Sequence, residues 1–279
     1  MTGAPPPTFT AALIQMRSGR SVDANVAAAE ALIRQAAHEG AAYIQTPEVT
    51  TLMELDRERL FAATAPEEGN AALARFTALA AELNVHLHIG SMGIRLGDRI
   101  ANRSFVIGPN GAILARYDKI HMFDVALANG DVYRESANYA PGHQGVIAPL
   151  PWGKLGLTIC YDLRFPALHQ ALVREGATML AIPAAFTRPT GEAHWHTLVR
   201  ARAIETQCFV FAAAQGGKHE HGRETYGHSL IVSPWGTILA EGGTEPGVIM
   251  AEIGMGEVAA IRERIPCLAN ARPFELQRQ

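Results

Sequence analysis

Leu155-Gly-Leu-Thr-Ile-Cys-Tyr-Asp-Leu-Arg-Phe-Pro166 is the stretch on which the fold turns. Its first half is short and evenly apolar, the pattern of a strand buried on both faces. Its second half ends in Pro166, which suits the first turn of a helix. Thr178–Ile182 supplies the next apolar strand, so the segment reads as a βα unit. Towards the C-terminus a long helix from about Gly191 to Thr206 precedes another strand, Cys208–Ala214. Towards the N-terminus, Phe9–Gln15, Ala42–Thr46 and His86–Gly90 read as strands. Two helices separate them. The first is capped by Ser21 or Asp23, carries Val22, Val26, Ala29, Ile33 and Ala36 on one stripe, and stops at Gly40. The second runs from Asn70 to Asn84.

Three hairpins interrupt the βα rhythm. Ser104–Ile107 meets Ala112–Tyr117 across Gly-Pro-Asn-Gly, and Val146–Leu150 meets Leu155–Cys160 across Pro-Trp-Gly-Lys. Gly227–Ser233 meets Thr237–Ala240 across Pro-Trp-Gly. Hairpins mixed with βα units predict mixed sheets covered by helices, an α/β layered architecture and not a parallel barrel. Within 279 residues no linker or repeat follows Pro7, so one large core is expected. The stretch 266–279 lacks a core pattern and reads as an arm lying on this subunit or a partner.

Composition removes several function classes. Lys+Arg 24 against Asp+Glu 27 leaves a net charge of -3 with no basic stripe, so nucleic acid is not an expected partner. The longest apolar runs, Met179–Phe186 and Cys208–Ala214, fall well short of the roughly 18 residues of a membrane span. MTGAPPPTFT lacks the basic and apolar regions of a signal peptide. Three cysteines do not make a disulfide framework, and the expected setting is the reducing cytoplasm.

Cys160 closes a buried strand where a helix begins, a place where backbone N–H groups can activate a thiol and hold an oxyanion. The competing reading is an inert buried cysteine. Cys208 reads as core and Cys267 as part of the arm. Glu48, held by Pro47 at a strand end, suits a desolvated general base, against the alternative of an exposed loop glutamate. Lys119 follows a hairpin strand and can stabilise an oxyanion, unless it is a solvated surface charge. Of the eleven histidines, His86 and His88 share one face of a strand and offer a metal-hydrolase reading. His121, two residues from Lys119, is the candidate for a Cys–His dyad. His194 and His196 point to different sides of a helix, and His219 and His221 read as solvated loop residues.

In combination, Glu48 in TPEVT, Lys119 in RYDKIHMFD and Cys160 in GLTICYDLRFP resemble, in that order, the Glu–Lys–Cys triad of the nitrilase (carbon–nitrogen hydrolase) superfamily. The resemblance covers nearly the whole chain and is strongest to the Nit branch through AFTRPTGEAHWH, ETQCFVFAAAQ and ETYGHSLIVSPWG. It implies a four-layer αββα sandwich over 8–265, a homodimer or higher homo-oligomer, no cofactor and no metal. Glu135 in YRESANYAPG matches the second glutamate beside the lysine, orienting Lys119 and substrate or merely pairing the charge. The implied substrate is a small carboxylated amide, first of all deaminated glutathione, cleaved to 2-oxoglutarate and Cys-Gly. The alternatives are 2-oxoglutaramate (omega-amidase) and N-carbamoyl amino acids. In that chemistry Glu48 is the base, Cys160 the nucleophile, and Lys119 with the Tyr161 N–H the oxyanion donors. Arg164 is either a carboxylate anchor or a salt-bridge partner of Asp162, and Thr187 is a candidate substrate contact. One departure is Ala167, where the branch often carries Glu; it touches the helix start and not the triad. Two readings from other classes stand against this one. They are a metal-dependent amidohydrolase built on His86 and His88, and a non-catalytic metabolite-binding or scaffolding member of the fold.

Overall fold

The computed structural model describes residues 7–127 and 130–277. The chain opens with β1 (Thr8–Gln15), α1 (Val22–His38), β2 (Tyr43–Gln45), α2 (Arg57–Ala63) and α3 (Ala71–Leu83). Strands β3 (His86–Leu96), β4 (Arg99–Ile107), β5 (Ile113–Asp118), β6 (Asp124–Ala126), β7 (Val132–Arg134) and β8 (Tyr139–Ala140) follow. The next run is β9 (Val146–Leu150), β10 (Gly153–Leu157), α4 (Pro166–Arg174), β11 (Met179–Ala181), α5 (Arg188–Thr206) and β12 (Phe209–Ala212). The last elements are β13 (Gly216–Lys218), β14 (Glu224–Tyr226), β15 (Leu230–Val232), β16 (Ile238–Glu241), β17 (Gly247–Gly254), α6 (Gly256–Arg264) and α7 (Cys267–Asn270).

Two sheets carry the fold, ordered β17-β1-β2-β3-β4-β5 and β16-β15-β12-β11-β10-β9. Each has three parallel strands at its centre, β1-β2-β3 and β10-β11-β12, with antiparallel neighbours outside them. Parallel neighbours need a crossover, and α1 and α3 serve the first sheet as α4 and α5 serve the second. The alternation along β1 sets the layers. Phe9, Ala11 and Leu13 join the core shared with the second sheet, while Ala12, Ile14 and Met16 pack with Ile33 of α1 and Phe76 of α3. Tyr43 and Phe211 meet between the sheets with ring centroids 5.1 Å apart. Trp195, Val199 and Ala203 of α5 and Leu172 of α4 complete the second sheet's side. The order is helices, sheet, sheet, helices: the αββα sandwich.

Ser21 is the N-cap of α1, its side chain accepting from the Ala24 N–H, and Asn84 closes α3 in the left-handed region. Two expectations need correction, and three elements were not expected. The third strand runs on to Leu96 because the glycines that seem to end it permit an irregularity between Ile89 and Met92 and a turn at Gly97, φ 66°. Helix α5 begins at Arg188, since Pro189 sits in its first turn. Edge strand β17, paired with β1 over its whole length, and helices α2 and α6 went unread because they are short or half-exposed. Among the described residues beyond Pro266, the chain forms only the four-residue α7 and leaves Phe274 and Leu276 exposed.

Candidate active site

The ends of the strands deliver three side chains to one buried point. Glu48 follows β2 and is 4% exposed, Lys119 follows β5 at 2%, and Cys160 follows β10 at 7%. Cys160 opens a 3₁₀ turn, Cys160–Arg164, with φ +50°, and Val49 beside Glu48 has φ +51°. Such a conformation costs on the order of 1–3 kcal/mol and persists only where the surroundings over-determine it. Here they do. The Cys160 N–H is held by the Pro183 carbonyl at 2.9 Å, and the Val49 N–H by Ser91 Oγ at 2.9 Å.

Asp162, fully buried, ties the Cys160 turn to the Lys119 segment. Its Oδ2 accepts from the Ile159 N–H (2.8 Å) and Tyr117 Oη (2.7 Å), and its Oδ1 accepts from the His121 N–H (3.1 Å). Tyr117 and His121 stand two residues either side of Lys119, so one carboxylate fixes nucleophile and ammonium together. Arg202 of α5 braces the same turn, donating Nε and Nη2 to the Leu163 carbonyl at 2.9 and 2.7 Å.

Lys119 Nζ donates to Glu48 Oε1 at 2.8 Å and to both oxygens of Glu135 at 2.9 and 2.8 Å. Asn102 Nδ2 bridges the same two carboxylates at 3.0 and 3.3 Å, and the Phe123 N–H holds Glu135 Oε2 at 2.7 Å. The Ala185 N–H donates to Glu48 Oε2 at 2.9 Å, and Glu48 also faces the Cys160 thiol. Burial pushes the thiol well above its ordinary range, and the neighbouring Glu48 charge adds to this. Burial would raise Glu48 too, but the Lys119 ammonium overrides it and holds the carboxyl below its usual value. Burial works against the Lys119 charge, which Glu135 and Glu48 nevertheless hold well above the usual lysine range. The resting site is therefore a neutral thiol beside an ionised carboxylate and an ammonium. A proton can pass from sulfur to Glu48 when an electrophile arrives.

The triad opens into a chamber of about 270 Å³ walled by Phe123, Tyr133 and Phe186. Arg164 and Thr187 line it. Arg164 makes no bridge to Asp162; its guanidinium lies over the Phe186 ring, with Nη2 3.3 Å from His194 Nδ1. The Thr187 hydroxyl meets that of Thr190 at 2.8 Å. The Tyr161 ring packs edge-on against Phe123 and Phe165. Lys119 is no surface charge. Asn102, Ala185 and Arg223 also line the chamber and went unread. Only Asn102 left a trace in the sequence, as an amide inside an otherwise strand-like run.

The histidine readings do not converge on the site. His88 is buried with Nδ1 2.8 Å from Tyr43 Oη and Nε2 2.6 Å from Ser104 Oγ, so both nitrogens are engaged, while His86 stacks edge-on against Trp152. His121 holds Asp162 and stacks on Phe165, away from the chamber wall. His219 is not solvated: it is buried between the Ser18 carbonyl and Thr225 Oγ1. His194 and His196 do part company, the latter joining His228 on Glu241.

With this geometry in view, comparison with known proteins is direct. The family model for carbon–nitrogen hydrolases matches residues 10–263. The chain belongs to the carbon–nitrogen hydrolase family. Curated relatives within it include a deaminated glutathione amidase of Synechocystis sp., 39% identical over 94% of this chain and 97% of the relative. The Bos taurus deaminated glutathione amidase is also 39% identical, over 94% and 81%. Among solved structures, the C. elegans NitFhit protein superposes with a TM-score of 0.89 at 32% identity, over 96% of this chain. The chain spans 66% of the length of that protein. Saccharomyces cerevisiae Nit3 gives 0.84 at 27% identity, over 93% of this chain and 94% of its own. The four-layer fold is thus the carbon–nitrogen hydrolase fold, and the chain is a hydrolase acting on non-peptide C–N bonds.

Proposed function

We propose that this carbon–nitrogen hydrolase cleaves the amide bond of deaminated glutathione, releasing 2-oxoglutarate and Cys-Gly through a thioester on Cys160. The observation that carries the reading is the Cys160 thiol facing a Glu48 carboxylate that Lys119 keeps ionised. Glu48 takes the thiol proton as sulfur adds to the amide carbonyl. The oxyanion is met by Lys119 Nζ and the Tyr161 N–H, a first-turn donor with no acceptor inside its own helix. Collapse breaks the C–N bond, and Glu48 passes its proton to the departing amine. Glu48 then deprotonates water, which cleaves the thioester, and returns that proton to the sulfur. Glu135 and Asn102 hold Lys119 and Glu48 in register throughout. Arg164 and Thr187 orient the carboxylate end of the acyl group. Support for the substrate comes from the two relatives that bear the name deaminated glutathione amidase.

The same proposal includes a homodimer packed across α5. Ile204, Trp235 and Leu239 are exposed, and the Trp235-Gly236 turn abuts Ile204. The arm 266–279, with Phe274 and Leu276 exposed, extends that contact. Three free thiols favour a reducing cytoplasmic setting. The test is turnover, by mass spectrometry, of deaminated glutathione, 2-oxoglutaramate and N-carbamoyl amino acids. The highest kcat/KM should fall on deaminated glutathione; a tenfold preference for either of the others would replace it as substrate.

A further inference from the structure

The inner chamber does not end at the substrate's acyl half. It runs into a second, outer chamber of about 720 Å³, and the two share Leu55, Val132, Tyr133, Thr187 and Arg223 as walls. Arg164 belongs to the inner chamber alone, whereas Arg223 stands where the two join. Three features set Arg223 apart. Its Nη2 donates to the Ala185 carbonyl at 2.7 Å, on the residue whose N–H holds Glu48. Its guanidinium lies 5.2 Å from the centroid of Tyr133, and its Nε is buried without a hydrogen-bond partner. Among the described residues, no carboxylate comes within ion-pair distance of it, although Arg188 on the outer wall is matched by Glu192 at 2.8 Å and Glu224 at 3.1 Å. Arg223 also adds to the positive field that keeps Glu48 ionised, but a fixed guanidinium with no direct ion-pair partner, set at the edge of a cleft, can still take up an anion.

The order of the chemistry says which anion. The acyl half stays bound to Cys160 as a thioester while the amine leaves first and water enters. The amine half must therefore lie towards the open end, past Arg223. We infer that Arg223 and the outer chamber form a leaving-group subsite. It selects amides whose departing amine carries a carboxylate, as a dipeptide or amino acid does, over primary amides that release ammonia. The inference rests on the amidase reading above and deepens it.

A charge-matching cycle tests it. Deaminated glutathione and its analogue with the terminal carboxylate capped as an amide are turned over by the wild type, R223Q and R223K. R223Q should lower kcat/KM on the free carboxylate about ten- to a hundredfold more than on the capped analogue, with R223K in between. Equal losses on both would reduce Arg223 to a brace for Ala185 and overturn the subsite. Ligand-observed NMR with free Cys-Gly, and with Cys-Gly amide, makes the answer independent of which acyl group is natural. Cys-Gly should bind the wild type and lose at least tenfold in affinity on R223Q. Equal binding to both proteins would refute the subsite even if deaminated glutathione is hydrolysed. Failure of deaminated glutathione to turn over, with Cys-Gly binding still dependent on Arg223, would remove the acyl assignment alone.

Discussion

Replacing Lys119 by Met tests how far the site rests on a single buried ammonium. Lys119 holds Glu48 and Glu135 at 2.8–2.9 Å, and their side chains are 6% and 13% exposed. Methionine fills similar space without the charge and leaves two buried carboxylates with no direct ion-pair partner, held by Asn102, backbone N–H groups and the Cys160 thiol. Removing one partner of a buried pair typically costs about 3–5 kcal/mol. At roughly 2–4 °C per kcal/mol for a chain of this size, Tm should drop by about 10 °C. The loss should also reverse its pH dependence. In the wild type the lowered Glu48 pKa contributes stability above pH ~4.5 that is lost as pH falls through the folded value. Without Lys119, burial raises that pKa above its unfolded value, so acidification stabilises the fold and the gap between K119M and wild type narrows as pH falls towards 5. Urea melts of wild type, K119M and K119M/E135Q at pH 7.5 and 5.5 measure this, with amide hydrolysis in parallel. The double variant should recover about half the stability and no activity, because losing an oxyanion donor costs about 10²–10³ in kcat. A K119M protein that melts in urea with the wild type at pH 7.5, or whose deficit ignores pH, would refute the reasoning.

Cys160→Ala should abolish turnover in a folded protein, while Cys208→Ala and Cys267→Ala stay active; an intact-mass adduct from a slow substrate should map to Cys160. His88, pushed down to about 3 by burial, stays neutral in the fold while the unfolded residue titrates near 6.5. Stability from that gap is complete above pH ~6.5 and lost as pH falls towards 3, about 1.4 kcal/mol by pH 5.5. His88→Gln should therefore show a smaller decline between pH 7.5 and 5.5 in urea melts, and equal declines would count against the assignment. Arg164→Lys should raise KM for amides carrying an acyl-side carboxylate far more than for a small neutral amide. Matching losses would recast Arg164 as a support for the nucleophile turn.

Much of the architecture was legible in the sequence because burial on both faces leaves a local mark. Runs such as Leu155–Cys160, interrupted only by Thr158, and Cys208–Ala214 are this apolar because helices or another sheet cover both sides. Caps at Ser21 and Asn84 and the Pro-Trp-Gly hairpins are equally local. Elements with one wet face, β17 and α6 among them, gave no such mark.

Glu48, Lys119 and Cys160 were each weak alone and persuasive only by likeness to a known triad, since nothing in the 70 intervening residues states that Lys119 Nζ ends 2.8 Å from Glu48. What the tertiary structure decided was the sign of every charge effect. Whether a lysine is solvated or fully buried, and whether a carboxyl is raised by desolvation or lowered by an ammonium, depends on distances between strand ends far apart in the chain. The same holds for Asp162, which reads locally as a partner for Arg164. Folding turns it instead towards Tyr117 and His121, leaving Arg164 to the chamber and Arg223 at its mouth. Side-chain periodicity is a property of neighbours in sequence; proton affinity is a property of neighbours in space.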